Sequence, residues 1–67
     1  MKYLVKFENG HRPFWLAPWD GDPGRTLVRA NAEQFDTKEL AEIALYETQL
    51  KYPERELEGF AEPLNVY

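Results

Sequence analysis

Residues 2–8 alternate between side chains that favour burial and side chains that favour water. Tyr3, Val5 and Phe7 fall on one side of this stretch, and Leu4 falls among charged residues on the other. A period of two in residues that favour extended backbone predicts a β-strand with one face in a core.

The Asn-Gly pair at residues 9–10 predicts that this strand turns back on itself. Both residue types accept the positive φ that a two-residue hairpin turn requires. Such a turn sets the pairing, with Val5 opposite Phe14 and Leu4 opposite Trp15. Cross-strand partners share a face, so Phe14 joins the core side. Leu4 and Trp15 are expected to lie together on the opposite, exposed side.

A loop and a third strand follow this hairpin. Residues 22–25, Asp-Pro-Gly-Arg, suit a type II turn, with Pro at its second position and Gly at its third. Residues 26–29, Thr-Leu-Val-Arg, resume the character of a strand. The hairpin is therefore expected to extend to a three-stranded meander.

The segment from Phe35 onward has the start signal of a helix. Asp36 is the predicted N-cap, and Glu39 three residues later completes a capping box. We expect the helix to end near Tyr52, because Pro53 cannot continue it. The residues at helical spacing that we expect to face the sheet are Leu40, Ala41, Ala44, Leu45, Thr48 and Tyr52.

A weaker alternation over residues 56–66 predicts a last strand, bent or interrupted at Gly59 or Pro63. The predicted order β-β-β-α-β indicates an α+β fold, with a small antiparallel sheet and one helix packed across one face. A chain of 67 residues has room for one domain, which we expect to span residues 1–67.

The residue types in the chain argue against catalysis. The sequence contains no Cys and no Ser, which excludes serine and cysteine nucleophiles and thiolate metal ligands. The single His, His11, falls in the predicted hairpin turn, where a solvated side chain is expected. We therefore expect a protein that is not an enzyme and needs no cofactor.

Asp20 and Asp22 stand one residue apart, as some calcium ligands do. The further oxygen ligands of an EF-hand loop do not follow them, and Arg25 repels a cation. We expect these carboxylates to pair with Arg25 or to cap the turn, and we expect no metal site.

The net charge of −4 argues against binding to nucleic acid or to an anionic membrane, both of which attract clustered basic residues. The same charge permits a basic protein partner. The first residues lack the apolar stretch of a secretory signal, and no apolar run is long enough to span a bilayer. A cytoplasmic location is therefore expected.

Tryptophan supplies the first candidate binding surface, because Trp is enriched among the residues that dominate protein interfaces. Trp15 is predicted on the exposed face of the hairpin. Trp19 enters the loop that follows, where it either stays exposed or folds back to cap the thin core. The candidate partner-binding residues are Leu4, Trp15, Trp19, Asp20, Asp22 and Arg25.

The helix carries a second apolar line, formed by Ile43, Tyr46 and Leu50 at spacings of three and four. An extra apolar line indicates a second packing partner. That partner is either a second copy of the chain, which would make these residues a dimer contact, or the last strand or C-terminal tail of the same chain.

Acidic residues are concentrated after the helix, at Glu54, Glu56, Glu58 and Glu62, with Arg55 opposing them. Such residues commonly protect a solvated edge strand from pairing. The alternative is an acidic surface that competes with nucleic acid for a basic groove.

Two motifs precede the predicted helix, and they read Trp19-x-Gly21-Asp22-Pro23-Gly24-Arg25-Thr26-Leu27 and Ala32-x-x-Phe35-x-Thr37. Together with the short Ala-rich helix, they resemble small proteins encoded by bacteriophages and prophages, over roughly residues 3–50. The resemblance brings no catalytic residue. It implies a protein of a bacterial host's cytoplasm that binds and blocks a host enzyme or defence complex, as anti-CRISPR proteins do.

These observations converge on a noncatalytic protein-binding module that inhibits a bacterial defence system or a host nucleic-acid enzyme. The alternative is a homodimeric structural or assembly accessory protein that pairs through the second apolar line of the helix.

Overall fold

A computed structural model describes residues 1–8, 10, 12–21 and 23–65 of the chain. Its strands and single helix follow in the order β1 (Tyr3–Phe7), β2 (Phe14–Leu16), β3 (Arg25–Thr26), α1 (Lys38–Lys51) and β4 (Gly59–Pro63). One 3-10 turn precedes α1 and another follows it, at Arg29–Asn31 and Pro53–Arg55. The predicted α+β class and its β-β-β-α-β order are confirmed.

The sheet has the strand order β3-β2-β1-β4, and each neighbouring pair is antiparallel. β1 is central, and its ladder with β4 runs from Tyr3 opposite Pro63 to Phe7 opposite Gly59. The last strand was expected within residues 56–66, and it begins and ends at the two residues where an interruption was predicted.

The pairing of β1 with β2 differs from the predicted register. Phe7 lies opposite Phe14, and Lys6 opposite Trp15, which is a shift of two residues. The prediction of a two-residue turn is therefore wrong, because β1 ends at Phe7 and β2 begins opposite it at Phe14. Pro13 is the physical reason for this shift in register. The predicted register placed Pro13 opposite Lys6, inside the ladder, but Pro has no N–H to donate to a neighbouring strand. Asn9 and His11 lie outside the described residues.

A shift of two residues leaves every side chain on its predicted face, because side chains alternate with a period of two. The third strand is shorter than predicted and begins one residue earlier, at Arg25. It ends at Thr26, whose hydroxyl oxygen accepts a hydrogen bond from the Val28 N–H at 3.0 Å. This local bond turns the chain out of the sheet and into the first 3-10 turn.

The helix begins one residue later than the predicted cap requires. Thr37 is the N-cap, and its hydroxyl accepts a hydrogen bond from the Leu40 N–H at 3.1 Å. The prediction of a capping box formed by Asp36 and Glu39 is therefore wrong. Asp36 instead forms an ion pair with Lys2. The helix ends at Lys51, as expected from the following proline.

The face of the sheet beneath α1 holds an apolar core, in which the Phe7 and Phe14 rings stack with centroids 5.1 Å apart. Ala41 and Thr48 are buried on the inner side of the helix, but Leu40 is exposed, contrary to the prediction. Leu40 lies about 100° around the helix from Ala41, at the edge of the buried stripe. The buried members of this core are Val5, Phe7, Leu16, Ala41 and Leu57.

Candidate functional site

Leu4 and Trp15 lie on the face of the sheet opposite α1, as predicted, but the expectation that they are exposed is wrong. Leu4 is fully buried and Trp15 retains 9% exposure. They form a second core with Ala32, and Leu64 packs against it. The chain that leaves β3 and the chain that leaves β4 both fold over this face, so these two side chains are unavailable to a partner.

The carboxylate of Glu62 borders this second core. The Trp15 indole N–H and the Arg29 Nε–H each donate to Oε1 of Glu62 at 3.0 Å. The Lys6 ammonium lies 3.8 Å from Oε2 of the same carboxylate. The assignment of Glu62 to an exposed acidic surface is therefore wrong, since two cations and an indole hold it against the sheet.

A sequence signal for this network was present in the alternation of the two strands. Side chains alternate along β4, so Glu62 points to the opposite face from its neighbours Ala61 and Pro63. It shares that face with Leu4, its partner in the ladder with β1. The second Arg29 contact, from Nη2 to the carbonyls of Pro63 and Leu64 at 3.0 and 2.9 Å, depends on the long-range fold. The other three residues of the predicted acidic surface, Glu54, Glu56 and Glu58, are exposed.

The loop between β2 and β3 builds a groove of about 420 Å³ beside Trp19. Trp19 is 49% exposed. Of the two alternatives that the sequence left open for this residue, it therefore stays on the surface and does not fold back over the core. Exposed Leu27 lies on another wall of the groove. The residues that give the groove its aromatic, aliphatic and charged character are Phe14, Trp19, Asp20, Arg25 and Leu27.

Close backbone packing explains the glycine at position 24 of this loop. A Cβ atom on Gly24 would lie 1.8 Å from the carbonyl oxygen of Trp19, so a larger residue would push the tryptophan segment away. Gly24 does not have the positive φ that a type II turn requires, and the predicted turn type is wrong. Asp22, the first residue of that turn and a candidate partner-binding residue, lies outside the described residues.

Three hydrogen bonds hold the groove in shape. The Ala17 N–H donates to the Gly24 carbonyl at 2.9 Å, which closes the base of the loop. The Tyr52 hydroxyl donates to the Gly21 carbonyl at 3.2 Å and connects the loop to the end of α1. Arg25 donates from Nη1 to the Pro23 carbonyl at 3.0 Å, which positions its guanidinium at the wall of the groove.

The outer face of α1 is a second apolar surface among the described residues. Ile43, Tyr46 and Leu50 are 54%, 61% and 62% exposed, so the described chain does not cover them. They lie on the side of the helix opposite Ala41 and Thr48. A shallow depression of about 430 Å³ lies along this face, lined by Glu39, Glu42, Ile43 and Tyr46.

The structure brings together part of the predicted partner-binding set, namely Trp19, Asp20 and Arg25. Sequence reasoning missed Phe14 and Leu27 as groove residues, although Leu27 directly follows the end of β3. In the part of the chain that the structure describes, no three His, Asp or Glu side chains form a potential metal site. Within the same residues, the helix is too short and too polar to cross a membrane.

Searches against protein-family models, curated proteins and solved structures found no match to this chain.

Proposed function

We propose that this protein is a noncatalytic binding module that recognises another protein through the groove beside Trp19. The observation that carries the proposal is a half-exposed tryptophan held at the wall of a concave, hydrogen-bonded loop. Tryptophan residues at the centre of interfaces contribute a large share of binding energy, because they bury a large apolar surface with few rotatable bonds.

The composition of the groove supports a protein partner. Its lining combines three apolar side chains, Trp19, Leu27 and Phe14, with one acidic and one basic side chain. Protein interfaces commonly combine apolar and aromatic side chains with polar ones in this way. The hydrogen bonds at Gly21, Gly24 and Arg25 hold the described part of the loop in place, which lowers the conformational entropy lost on binding.

The target proposed for the module is a bacterial defence complex or a host enzyme that acts on nucleic acid. The resemblance to phage and prophage proteins supports this choice of target. The net charge of −4 supports it as well, because nucleic-acid enzymes carry basic surfaces. Exposed Glu54, Glu56 and Glu58 would then face a basic groove, and occupancy of that groove would exclude the nucleic acid.

A comparative pull-down tests the proposal. Tagged wild-type chain and the Trp19→Ala variant are incubated with bacterial lysate, including lysate from cells with an active CRISPR system. Tyr46→Ala is the matched control, because it removes another exposed aromatic ring from a different surface. We expect Trp19→Ala to reduce capture of the groove partner by about tenfold or more, and Tyr46→Ala to leave it unchanged. Equal capture by wild type and Trp19→Ala would contradict the proposed function.

A further inference from the structure

The helix α1 has two apolar lines on opposite sides, and the sheet covers one of them. The exposed line consists of Ile43, Tyr46 and Leu50, each more than half exposed. Their spacing of three and then four residues is the spacing of the a and d positions in a heptad. A line of this kind matches the contact seam of a second helix packed alongside the first.

The charges beside this seam have one sign. With Ile43 at position a, Glu42 takes the flanking position g and Glu47 the flanking position e, while Glu39 takes the preceding d position. All three are exposed. Their carboxylates make no ion pair or hydrogen bond with any other described side chain. The seam therefore presents apolar side chains between carboxylates. Lys38 and Lys51 lie one helical turn from Glu42 and Glu47, but neither lysine forms an ion pair with them.

We propose that the outer face of α1 binds a basic amphipathic helix of another protein. Leu or Ile side chains at a and d of that helix would cover Ile43, Tyr46 and Leu50. Lys or Arg at its e and g positions would pair with Glu42 and Glu47, since residues at these positions select the partner in helix pairs. This surface lies apart from the Trp19 groove, so the proposal does not depend on the function proposed for that groove.

The same charges disfavour a second copy of this chain as the occupant. In a parallel pair, Glu42 of one chain would face Glu47 of the other, because g residues oppose e residues of the following heptad. In an antiparallel pair centred on Tyr46, the two copies of Glu47 would lie close to the twofold axis. Like charges at these positions destabilise the pairing.

The test measures binding of the full chain to two synthetic helical peptides by isothermal titration calorimetry. Both peptides carry Leu at a and d over three heptads, and they differ in having Lys or Glu at e and g. We expect the Lys peptide to bind about tenfold or more tightly than the Glu peptide, with the difference shrinking as salt is added. Tyr46→Ala should weaken binding of the Lys peptide by a similar factor, and Trp19→Ala should not change it.

The decisive variant is the double charge reversal Glu42→Lys with Glu47→Lys, which should reverse the preference in favour of the Glu peptide. Circular dichroism of each variant checks that α1 is intact, which is expected because these side chains are exposed. Equal affinity for the two peptides, or Lys-peptide binding that ignores Tyr46→Ala, would overturn the proposal. A wild-type dimer in sedimentation that Tyr46→Glu dissociates would assign this face to a second copy and would also overturn it.

Discussion

The two faces of the sheet are covered by different kinds of structure. One face packs beneath the regular helix α1, and its core is formed by aliphatic and aromatic side chains. The other face is covered by irregular chain, through Ala32 after the first 3-10 turn and Leu64 after β4. That second core is bordered by a carboxylate, Glu62, which contacts Trp15 and Arg29.

This difference shows what an alternating sequence can and cannot establish. Alternation with a period of two assigns Val5 and Leu4 to opposite faces, and that assignment is correct. The alternation does not establish which face is exposed to water. A face can be covered by an irregular segment, and such a segment has no periodic pattern in the sequence that would predict it. A small domain can thus bury both faces of its central strand with one helix.

The largest effect is expected from Leu4→Ala, which tests whether the irregular covering excludes water as a core does. Because Leu4 is fully buried, its truncation should lower the free energy of unfolding by about 2–5 kcal/mol. Urea denaturation followed by tryptophan fluorescence measures the change.

Leu27→Ala is the matched control, because the same atoms are removed from an exposed position. Its effect should stay within about 0.5 kcal/mol. If the two substitutions cost the same, the second face of the sheet is not a packed core and the comparison between the faces fails.

An intermediate effect is expected from Glu62→Gln, which keeps an acceptor for the Trp15 indole but removes the negative charge. The Trp15 bond would become a neutral one, the Arg29 guanidinium would lose its anionic acceptor, and the attraction of Lys6 would be lost. The expected loss of stability is about 1–2 kcal/mol, the difference between charge-assisted and neutral hydrogen bonds.

Glu54→Gln provides the control for removing one negative charge from this acidic protein, because Glu54 is exposed in the second 3-10 turn. It should leave the denaturation midpoint nearly unchanged. A Glu62→Gln protein as stable as the wild type would show that the apolar contacts of Leu4 and Trp15 alone hold the second face together.

Local patterns predicted the strands, the helix and the side of the sheet on which each β1 residue lies. They failed where a competing local constraint decided the result. Pro13 moved the hairpin register by two residues, and Thr37 replaced Asp36 as the cap. Gly24 fits its loop through close contact with the Trp19 carbonyl and not through a left-handed conformation.

The candidate sites were predicted unevenly for a related reason. The exposed line of α1 follows from helical spacing alone, and the structure leaves it exposed. Residue type could not show that Trp15 is buried and Trp19 exposed, because both are the same large apolar ring. Trp15 is buried by residues distant in the chain, and its indole N–H donates to Glu62, which lies 47 positions away.

The smallest effect concerns the segment that passes from the second face of the sheet to the start of α1. Phe35 fixes this segment to β1 through two backbone hydrogen bonds with Tyr3, each 2.8 Å long. Beyond it, Lys2 hydrogen-bonds Asp36, and this bond together with the positive charge lowers the pKa of the Asp36 carboxyl below its usual value. A carboxyl with a lowered pKa in the folded state stabilises the fold above its unfolded-state pKa, and that contribution is lost as the pH falls through the folded-state pKa.

Lys2→Gln should therefore return the pKa of Asp36 towards that of an ordinary aspartate, measured by NMR titration of the carboxyl carbon. The melting temperature should fall slightly at neutral pH, and the difference from wild type should disappear in acid, where Asp36 is protonated in both proteins. The effect is small because both side chains are exposed and solvent screens their attraction. An unchanged Asp36 pKa would contradict the ion pair. A large loss of stability would show that Lys2, and not the hydrogen bonds between Tyr3 and Phe35, holds the segment before α1 against the sheet.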